Sequence, residues 1–334
     1  MNVQAGARLL EGAPIAGEIR ARVATDVAEF IATHGRPPGL AVVVCGRSAP
    51  SMVYLERILR ACAAVGIESR FVDVPGDDAT AQAAELTAAL RRLNGDRTVS
   101  GIIVQLPLPP GIGLRTVVDV IDPLKDIDGI HPLNAGLLRL GYEGFVPATA
   151  HAALEMLERS GATIPGAEAV VVGRSPVVGM PVAFMLVKGG ATVTVCHTKT
   201  RDLAAQTRRA DIVVVAAGRP GLVTGAMLKP GAVVIDVGIN VVDGRIVGDV
   251  DFESAREVAA AITPVPGGVG PLTNALLLAH LVRAAQRQAI ERPGPGDAPA
   301  GADADPGDAP ADPGDAPAGA DADGAQPPPA RGTR

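Results

Sequence analysis

The sequence EAVVVGRSPVVGMP at residues 168–181 places a short valine-rich run directly before a glycine-containing turn. The run predicts a buried strand, and the residues from Val178 onward predict a helix. A β-α-β unit puts its phosphate loop at this junction, where backbone N–H groups and the helix N-terminus face a pyrophosphate. The turn departs from the usual G-x-G-x-x-G, because Ser175 stands at the second glycine and the last spacing is one residue longer. Gly173, Arg174 and Ser175 are therefore candidate nucleotide contacts, and a plain tight turn is the alternative.

The next predicted strand supports a nucleotide site and indicates which nucleotide it takes. It ends in CHTK, residues 196–199, where an NAD enzyme usually offers an acidic residue to the ribose hydroxyls. Hydrogen-bond donors and positive charge suited to a 2′-phosphate come instead from Arg174, His197, Thr198 and Lys199. The sequence therefore predicts NADP rather than NAD. For Lys199 considered by itself, the alternative to a phosphate contact is an ordinary solvent-exposed basic residue at the end of a strand.

Similar valine- and isoleucine-rich runs recur through the chain and alternate with alanine-rich segments of helical period. The runs are continuous rather than alternating, as strands covered on both faces require, and the intervening lengths imply right-handed crossovers and a parallel sheet. This pattern predicts an α/β fold. The predicted strands are 39–45, 69–74, 101–105, 168–173, 191–195, 211–216 and 232–236. The predicted helices are 51–65, 79–93, 178–188, 200–208 and 272–288.

Loops rich in glycine and proline between 122 and 149 divide the strands into two groups. We therefore expect an α/β domain over residues 1–148, completed by the helix near 272–290, and a Rossmann-type nucleotide domain over 149–271. Residues 293–334 repeat GDAPAGADAD and contain almost no large apolar side chains. Such a segment cannot bury enough surface to offset its ordering entropy, so we expect a disordered acidic tail.

Composition excludes several classes of protein. The tail holds eight aspartates and two arginines, which equal the chain's whole net charge of −6, so the body is neutral. A neutral body with few aromatic residues and no basic run does not predict a nucleic-acid partner. The scattered Cys45, Cys62 and Cys196 suggest core thiols in a reducing compartment. No long apolar segment predicts a membrane span, so we expect a cytoplasmic protein. The five histidines show no metal-binding spacing. We expect His34 and His280 to be ordinary helix or turn residues, and His151 has no predicted partner.

Five segments resemble the methylenetetrahydrofolate dehydrogenase/cyclohydrolase family, the bifunctional FolD proteins, and the resemblance runs in family order over roughly residues 8–290. The segments are SMVYLERILRACAAVGI (51–67), VQLPLPPG (104–111), PLKDIDGIHPLNAG (123–136), GRSPVVGMP (173–181) and TPVPGGVGPLTNA (263–275). The resemblance implies a homodimer whose folate lies in a cleft between a catalytic and an NADP domain. It also implies oxidation of 5,10-methylenetetrahydrofolate to the methenyl cation, which many members then hydrolyse to 10-formyltetrahydrofolate.

The resemblance assigns roles to individual residues. A pterin edge offers adjacent N–H donors that a carboxylate accepts as a pair, which suits Asp128. Tyr54 lies at the family position that stacks on the aminobenzoyl ring, and Gln105 lies where the family faces the reacting carbon. Pro271 belongs to the loop that lines the folate and nicotinamide, and Ile239 to the segment beneath the nicotinamide. A solvated loop acid and an exposed strand-end glutamine are the alternatives for Asp128 and Gln105.

One position departs from the family in a way that affects the chemistry. Bifunctional members follow Y-x-x-x-K-x-x-A-C, whereas here Ile58 occupies the lysine position. The family assigns that lysine the proton transfers of hydrolysis, which isoleucine cannot perform. Arg57 and Arg60 lie on other helix faces and stay protonated, so neither is a suitable base. A second departure is PATAHA at 147–152, in the segment that begins the helix linking the domains.

Hydride transfer depends mainly on alignment, so it tolerates this loss better than hydrolysis does. We therefore predict an NADP-dependent methylenetetrahydrofolate dehydrogenase with weak or absent cyclohydrolase activity. One alternative is a fully bifunctional enzyme with another base. A different class, a non-catalytic folate- or NADP-binding paralogue, is disfavoured because Tyr54, Gln105 and Asp128 are all present.

Overall fold

The structure is a computed structural model that describes residues 6–46, 49–76 and 78–292. The expected acidic tail, residues 293–334, lies outside the described residues. The strands are β1 (Arg8–Leu9), β2 (Gly39–Cys45), β3 (Glu68–Val74), β4 (Gly101–Val104), β5 (Glu168–Val172), β6 (Thr192–Cys196), β7 (Ile212–Val215), β8 (Val233–Asp236), β9 (Asn240–Val242), β10 (Arg245–Val247) and β11 (Ala261–Ile262). The helices are α1 (Gly12–His34), α2 (Ala49–Ala64), α3 (Ala79–Gly95), α4 (Arg115–Val118), α5 (Pro132–Leu140), α6 (Ala148–Arg159), α7 (Gly179–Lys188), α8 (Leu203–Thr207), α9 (Phe252–Arg256) and α10 (Val269–Glu291), with a 3₁₀ turn at Gly225–Met227.

Three parallel strands form the first sheet, in the order β3-β2-β4. Every residue of β2 is buried, and alternate side chains enter two different hydrophobic clusters. Leu40, Val42 and Val44 enter one, whereas Val43 and Cys45 enter the other. Because successive side chains of a strand point to opposite faces, both faces of this sheet are covered. The unbroken valine run predicted this arrangement correctly.

Six parallel strands form the second sheet, in the order β1-β11-β8-β7-β5-β6. The chain goes from β5 outward to β6 and then returns to β7 on the other side of β5. This reversal creates a crevice at the carboxyl ends of β5 and β7, the usual ligand position in an open α/β sheet. The predicted α/β class is confirmed, and all seven predicted strands form within one residue of their predicted bounds.

The second sheet also recruits both ends of the described chain. The Arg8–Leu9 strand, which the sequence placed in the first domain, pairs in parallel with Ala261–Ile262. Helix α10 lies against the first sheet, where the Gln288 side-chain amide donates to the carbonyls of Ser100 (2.6 Å) and Leu124 (3.1 Å). Residues far apart in sequence therefore tie the two sheets together.

Several elements were not predicted from the sequence. The largest is α1, whose buried Ile19, Val23, Val27 and Phe30 form one apolar stripe that packs toward α10. Others are the short strands β1 and β11 and the β9–β10 hairpin. Helix α8 begins three residues later than predicted, because Asp202 caps it by accepting a hydrogen bond from the Ala205 N–H (2.9 Å).

Cys45, Cys62 and Cys196 are buried free thiols, as predicted. Among the residues that the structure describes, no helix combines the length and apolar character needed to cross a membrane. Within the same ranges, no cluster of histidine, cysteine and acidic side chains could hold a metal ion.

Candidate functional site

Gln105 follows the last residue of β4, at the carboxyl end of the first sheet. Its backbone N–H donates to the Val43 carbonyl (2.9 Å), which continues the strand pairing by one residue. Its side-chain Nε2 donates to the adjacent Leu106 carbonyl (3.2 Å), whereas its Oε1 is buried and has no hydrogen-bond partner. A buried unpaired amide oxygen is costly. It fits a position where a ligand supplies the missing donor.

The loop that carries Asp128 is organised around the neighbouring carboxylate of Asp126. This group is fully buried and accepts hydrogen bonds from the backbone N–H groups of Ile130 (3.1 Å) and His131 (2.8 Å) and from Asn134 Nδ2 (2.9 Å). The loop therefore wraps around Asp126 and holds the backbone on both sides of Asp128. Asp126 was not among the predicted site residues, although it lies in the same KDIDG motif.

Lys125, in the same motif, has a structural task. Its Nζ donates to the carbonyls of Leu93 (2.9 Å), Asn94 (2.8 Å) and Asp96 (2.8 Å) at the end of α3. Burial lowers the pKa of this lysine to about 8. Because an ammonium has three donors and all three are used here, Lys125 has no proton to share with a substrate.

Asp128 and Tyr54 lie within range of each other's charge. Burial, followed by the charge of Asp126, raises the pKa of Asp128 to about 7, while its Oδ1 accepts a long hydrogen bond from the Ala148 N–H (3.4 Å) at the start of α6. Burial raises the pKa of Tyr54 strongly, and the negative charge of Asp128 raises it further. The structure thus brings together a carboxylate and a phenol ring that lie 74 positions apart in sequence.

Ile58 lies one helical turn after Tyr54 on α2 and is fully buried. Its side chain belongs to the main hydrophobic cluster and is among the largest that the protein buries completely. One turn further along, burial raises the pKa of Cys62 to about 12. This face of α2 is therefore apolar, and Ile58 provides no group that exchanges protons.

The predicted nucleotide contacts meet around one cavity of about 330 Å³ at the carboxyl ends of β5 and β7. Gly173, Arg174, Ser175, His197 and Thr198 all line it. The remaining lining residues are Val172, Thr200, Leu203, Ala216, Ala217, Arg219 and Leu222. Lys199, Ile239 and Pro271 are not part of this lining.

Close backbone approach explains the two glycines of the phosphate loop. A Cβ on Gly173, where φ is 129°, would lie 2.1 Å from the Ala216 carbonyl oxygen, and one on Gly179 would lie 2.2 Å from that of Gly173. Ser175 uses its Oγ to accept hydrogen bonds from the N–H groups of Val178 (3.1 Å) and Gly179 (3.3 Å). The serine that breaks the usual glycine pattern therefore stabilises the turn into α7.

His197 has a defined tautomer. Its Nδ1 accepts a hydrogen bond from the Lys199 N–H (3.0 Å), and its own backbone N–H donates to Thr200 Oγ1 (2.9 Å). In a neutral ring the proton is then on Nε2, so that atom is free to donate to an anionic ligand. The exposed Arg174 guanidinium adds a permanent positive charge on the same cavity.

Two further predicted contacts, Pro271 and Ile239, lie outside the lining of this cavity. Helix α10 begins at Val269, three residues earlier than predicted, so Pro271 is its third residue rather than part of the preceding loop. It still lies in the first turn, where a missing N–H costs no intrahelical hydrogen bond. Ile239 is 68% exposed and precedes β9.

His151, for which the sequence predicted no partner, pairs with His280. His151 Nδ1 and His280 Nε2 lie 3.0 Å apart, and their rings are stacked with an interplanar angle of 9°. His280 Nδ1 donates to the Ile127 carbonyl (2.9 Å), so its Nε2 must accept from His151. Burial lowers the pKa of His280 to about 3 and keeps it neutral. The pair therefore fixes the peptide that precedes Asp128, and no spacing in the sequence signalled it.

Comparison with known families divides the chain in two. Residues 10–128 match the family described as "Tetrahydrofolate dehydrogenase/cyclohydrolase, catalytic domain". Residues 147–289 match "Tetrahydrofolate dehydrogenase/cyclohydrolase, NAD(P)-binding domain".

Individual proteins match over nearly their whole length. A "Bifunctional protein FolD" of Bordetella petrii is 52% identical over 285 residues, which cover 85% of this chain and 96% of that protein. The FolD methylenetetrahydrofolate dehydrogenase/cyclohydrolase of Campylobacter jejuni superposes with a TM-score of 0.81 at 40% identity, covering 84% of this chain and 99% of that one. The Trypanosoma brucei enzyme, solved with NADP cofactor and inhibitor, gives 0.80 at 40% identity, with 85% and 99% covered.

Proposed function

Because the chain belongs to the tetrahydrofolate dehydrogenase/cyclohydrolase family, we propose that it oxidises 5,10-methylenetetrahydrofolate to 5,10-methenyltetrahydrofolate with NADP as hydride acceptor. The observation that carries this proposal is the proximity of Asp128 and Tyr54. The pair offers a carboxylate for the donors of the pterin edge and an aromatic face for the aminobenzoyl ring. The unpaired Oε1 of Gln105 adds an acceptor at the neighbouring strand end.

The residues around the second cavity fit a phosphorylated dinucleotide. Gly173 and Gly179 leave a cradle that side chains would fill, and this cradle lies at the N-terminus of α7, where the helix dipole favours an anion. Arg174, His197 and Thr198 suit the 2′-phosphate of NADP, because two of them offer donors and the third a fixed charge. When bound, this cofactor supplies the hydride acceptor.

The residues of this chain would contribute by aligning the folate with the cofactor. Asp128 binds the pterin in its ionised form, and Tyr54 orients the rest of the folate, so the methylene carbon is held toward the nicotinamide. The folate nitrogen stabilises the positive charge that remains on the one-carbon bridge after the hydride leaves. No side chain has to remove a proton in this step, which is why the loss of a lysine at position 58 is compatible with it.

We propose that the second reaction of the family, hydrolysis of the methenyl product, is weak or absent. Ile58 is buried and apolar, and Lys125 has all three donors engaged with backbone carbonyls. Addition of water needs a group that accepts and returns a proton, and neither residue provides one. A fully bifunctional enzyme would require a base elsewhere.

We further propose that the two domains have the roles that they have in the family: residues 1–148 with the helix near 272–290 bind folate, and residues 149–271 bind NADP.

A homodimer is the expected assembly. The β9–β10 hairpin exposes the apolar side chains of Val241 (73% exposed) and Ile246 (46%), which are candidates for the dimer interface. The substrates are tetrahydrofolate derivatives, the compartment is the cytoplasm, and the neutral body suggests no nucleic-acid partner.

A spectrophotometric assay with methylenetetrahydrofolate and either NADP or NAD tests the proposal. We expect methenyltetrahydrofolate and NADPH to form together, with kcat/KM higher for NADP. Asp128→Asn should raise the KM for the folate without changing the Kd for NADPH. A wild-type protein that binds both ligands but produces no reduced cofactor would be the non-catalytic paralogue, and comparable kcat/KM for NAD would overturn the assignment of NADP.

A further inference from the structure

Asp249 is a completely buried carboxylate that connects three separate segments of the second domain. Its Oδ2 accepts hydrogen bonds from the backbone N–H groups of Ala217 (2.6 Å) and Gly218 (2.8 Å). Its Oδ1 accepts from the Arg219 N–H (2.8 Å) and from Asn240 Nδ2 (2.8 Å). Each carboxylate oxygen therefore serves two donors, and one side chain fixes four groups.

The groups that Asp249 holds border the nucleotide site. Ala217 and Arg219 line the same cavity as Arg174 and His197. Asn240 directly follows Ile239, the residue that the family resemblance places beneath the nicotinamide. One buried carboxylate therefore holds the loop after β7 in a fixed position relative to the start of β9.

A second carboxylate, Asp236, holds the backbone that carries Asp249. Its Oδ1 accepts from the N–H groups of Gly238 (2.9 Å) and Asp249 (3.0 Å), and its Oδ2 accepts from Val250 (2.9 Å). The packing leaves no room for side chains on the adjoining backbone. A Cβ on Gly238 would lie 2.3 Å from Asp249 Cγ, and one on Gly248 would lie 1.9 Å from Asp236 Oδ2.

We propose that Asp249 is a positioning residue for the cofactor: it preorganises the loop after β7 and the segment at Ile239 into the shape that binds NADP. This inference rests on the proposed function. The group must be a carboxylate, since an amide at this position would turn an NH₂ toward two of the four donors and leave them unpaired. Asp249 is fully buried and does not line the nucleotide cavity, so it acts through the backbone that it holds and its effect should appear in cofactor binding.

The variant Asp249→Asn tests this directly. We expect the KM for NADP, and the Kd for NADPH measured by fluorescence titration, to rise about tenfold or more, because hydrogen bonds to a buried charge are lost. The KM for methylenetetrahydrofolate should stay unchanged. The matched control is Asp251→Asn, two residues along the same segment, where the side chain caps α9 and asparagine caps equally well. That variant should bind NADPH as the wild type does.

If Asp249→Asn fails to fold, Asn240→Ala decides the question, because it removes one donor and leaves the backbone contacts of Asp249 in place. We expect a smaller rise in the KM for NADP with an unchanged KM for the folate. The proposal is wrong if folded variants bind NADPH like the wild type, or if the KM values of both substrates rise together. Wild-type enzyme that binds NADPH but does not oxidise methylenetetrahydrofolate would instead overturn the proposed function, and the titrations would still test the role of Asp249.

Discussion

Replacing Ile58 by lysine restores the amine that the family uses for hydrolysis and tests why this chain should lack that step. The side chain would enter a fully buried site on α2, one turn from Tyr54. By resemblance to the family, the new Nζ would donate to Gln105, whose Oε1 is buried and unpaired in the wild type. We expect Ile58→Lys to gain hydrolysis of methenyltetrahydrofolate, since a neutral amine can exchange protons with the attacking water.

The burial of position 58 determines the pH at which this experiment should be done. Full burial lowers the pKa of a lysine by about 3–5 units from about 10.4, so the amine would titrate between about 5 and 7.5. Because the pKa is lower in the folded state, the variant loses stability as the pH falls below about 10.4, by about 1.4 kcal/mol per unit until the folded pKa is reached. The cost is about 3 kcal/mol at pH 8 and about 4–6 kcal/mol at pH 6, against a typical total of about 5–15 kcal/mol. The assay therefore belongs at pH 8, with thermal melting followed in parallel.

The measurement is the decay of methenyltetrahydrofolate absorbance with wild type, Ile58→Lys and the control Ile58→Met, which keeps an apolar side chain of similar volume without an amine. Wild type and Ile58→Met should match the buffer rate, and Ile58→Lys should exceed it. The reasoning is refuted if the wild type hydrolyses well above buffer and Ile58→Ala leaves that rate unchanged. The base would then lie elsewhere, and the enzyme would be fully bifunctional.

Three further outcomes are expected. Arg174→Ala should raise the KM for NADP by about tenfold or more and leave the KM for NAD nearly unchanged, because it removes a positive charge that only the 2′-phosphate contacts. An equal rise in KM for both cofactors would contradict the assignment of Arg174 to the 2′-phosphate. The kcat/KM for methylenetetrahydrofolate should fall as the pH drops below about 7, approaching tenfold per pH unit, because the pKa of Asp128 is about 7 and only its carboxylate accepts the pterin donors. Asp128→Asn should remove this pH dependence. A wild-type kcat/KM that does not change with pH would exclude Asp128 as the group that binds the pterin. Truncation after Arg292 should leave the melting temperature and turnover nearly unchanged, because it keeps the ion pair of Arg292 with Asp122, and a large loss of either would show that the removed residues contribute to the fold.

The parts of the fold that the sequence predicted well are those where a local pattern has a single physical cause. The valine run of β2 is unbroken because both faces of its sheet are covered, and Gly173 and Gly179 are glycines because their Cβ atoms would collide with backbone oxygens. Helix α1 has an apolar stripe whose helical spacing is present in the sequence, so this helix could have been predicted. The two-residue strands β1 and β11 have no pattern to read, because their pairing depends on residues about 250 positions apart.

The same limit applies to the site. Tyr54, Gln105 and Asp128 were found through motifs, but the groups that hold them in place were not. The His151–His280 pair and the four donors on Asp249 depend on side chains meeting across elements, and isolated polar residues give no sign of this before the fold is known. Sequence patterns therefore led to predictions of ligand contacts, whereas the structure was needed to find the groups that hold those residues in place.

Two lysine positions show why a motif has to be combined with its surroundings before a chemical role is assigned. Lys125 lies in the KDIDG segment beside Asp128, and burial brings its pKa to about 8, a value suited to a base near neutral pH. Its three hydrogen bonds to carbonyls oppose that role, because losing a proton would leave one carbonyl unpaired in the interior. Position 58 has the opposite combination: it lies one turn from Tyr54, where the family uses an amine, but carries an isoleucine. Hydride transfer needs neither amine, so the geometry that aligns the folate can persist while the hydrolytic step is lost.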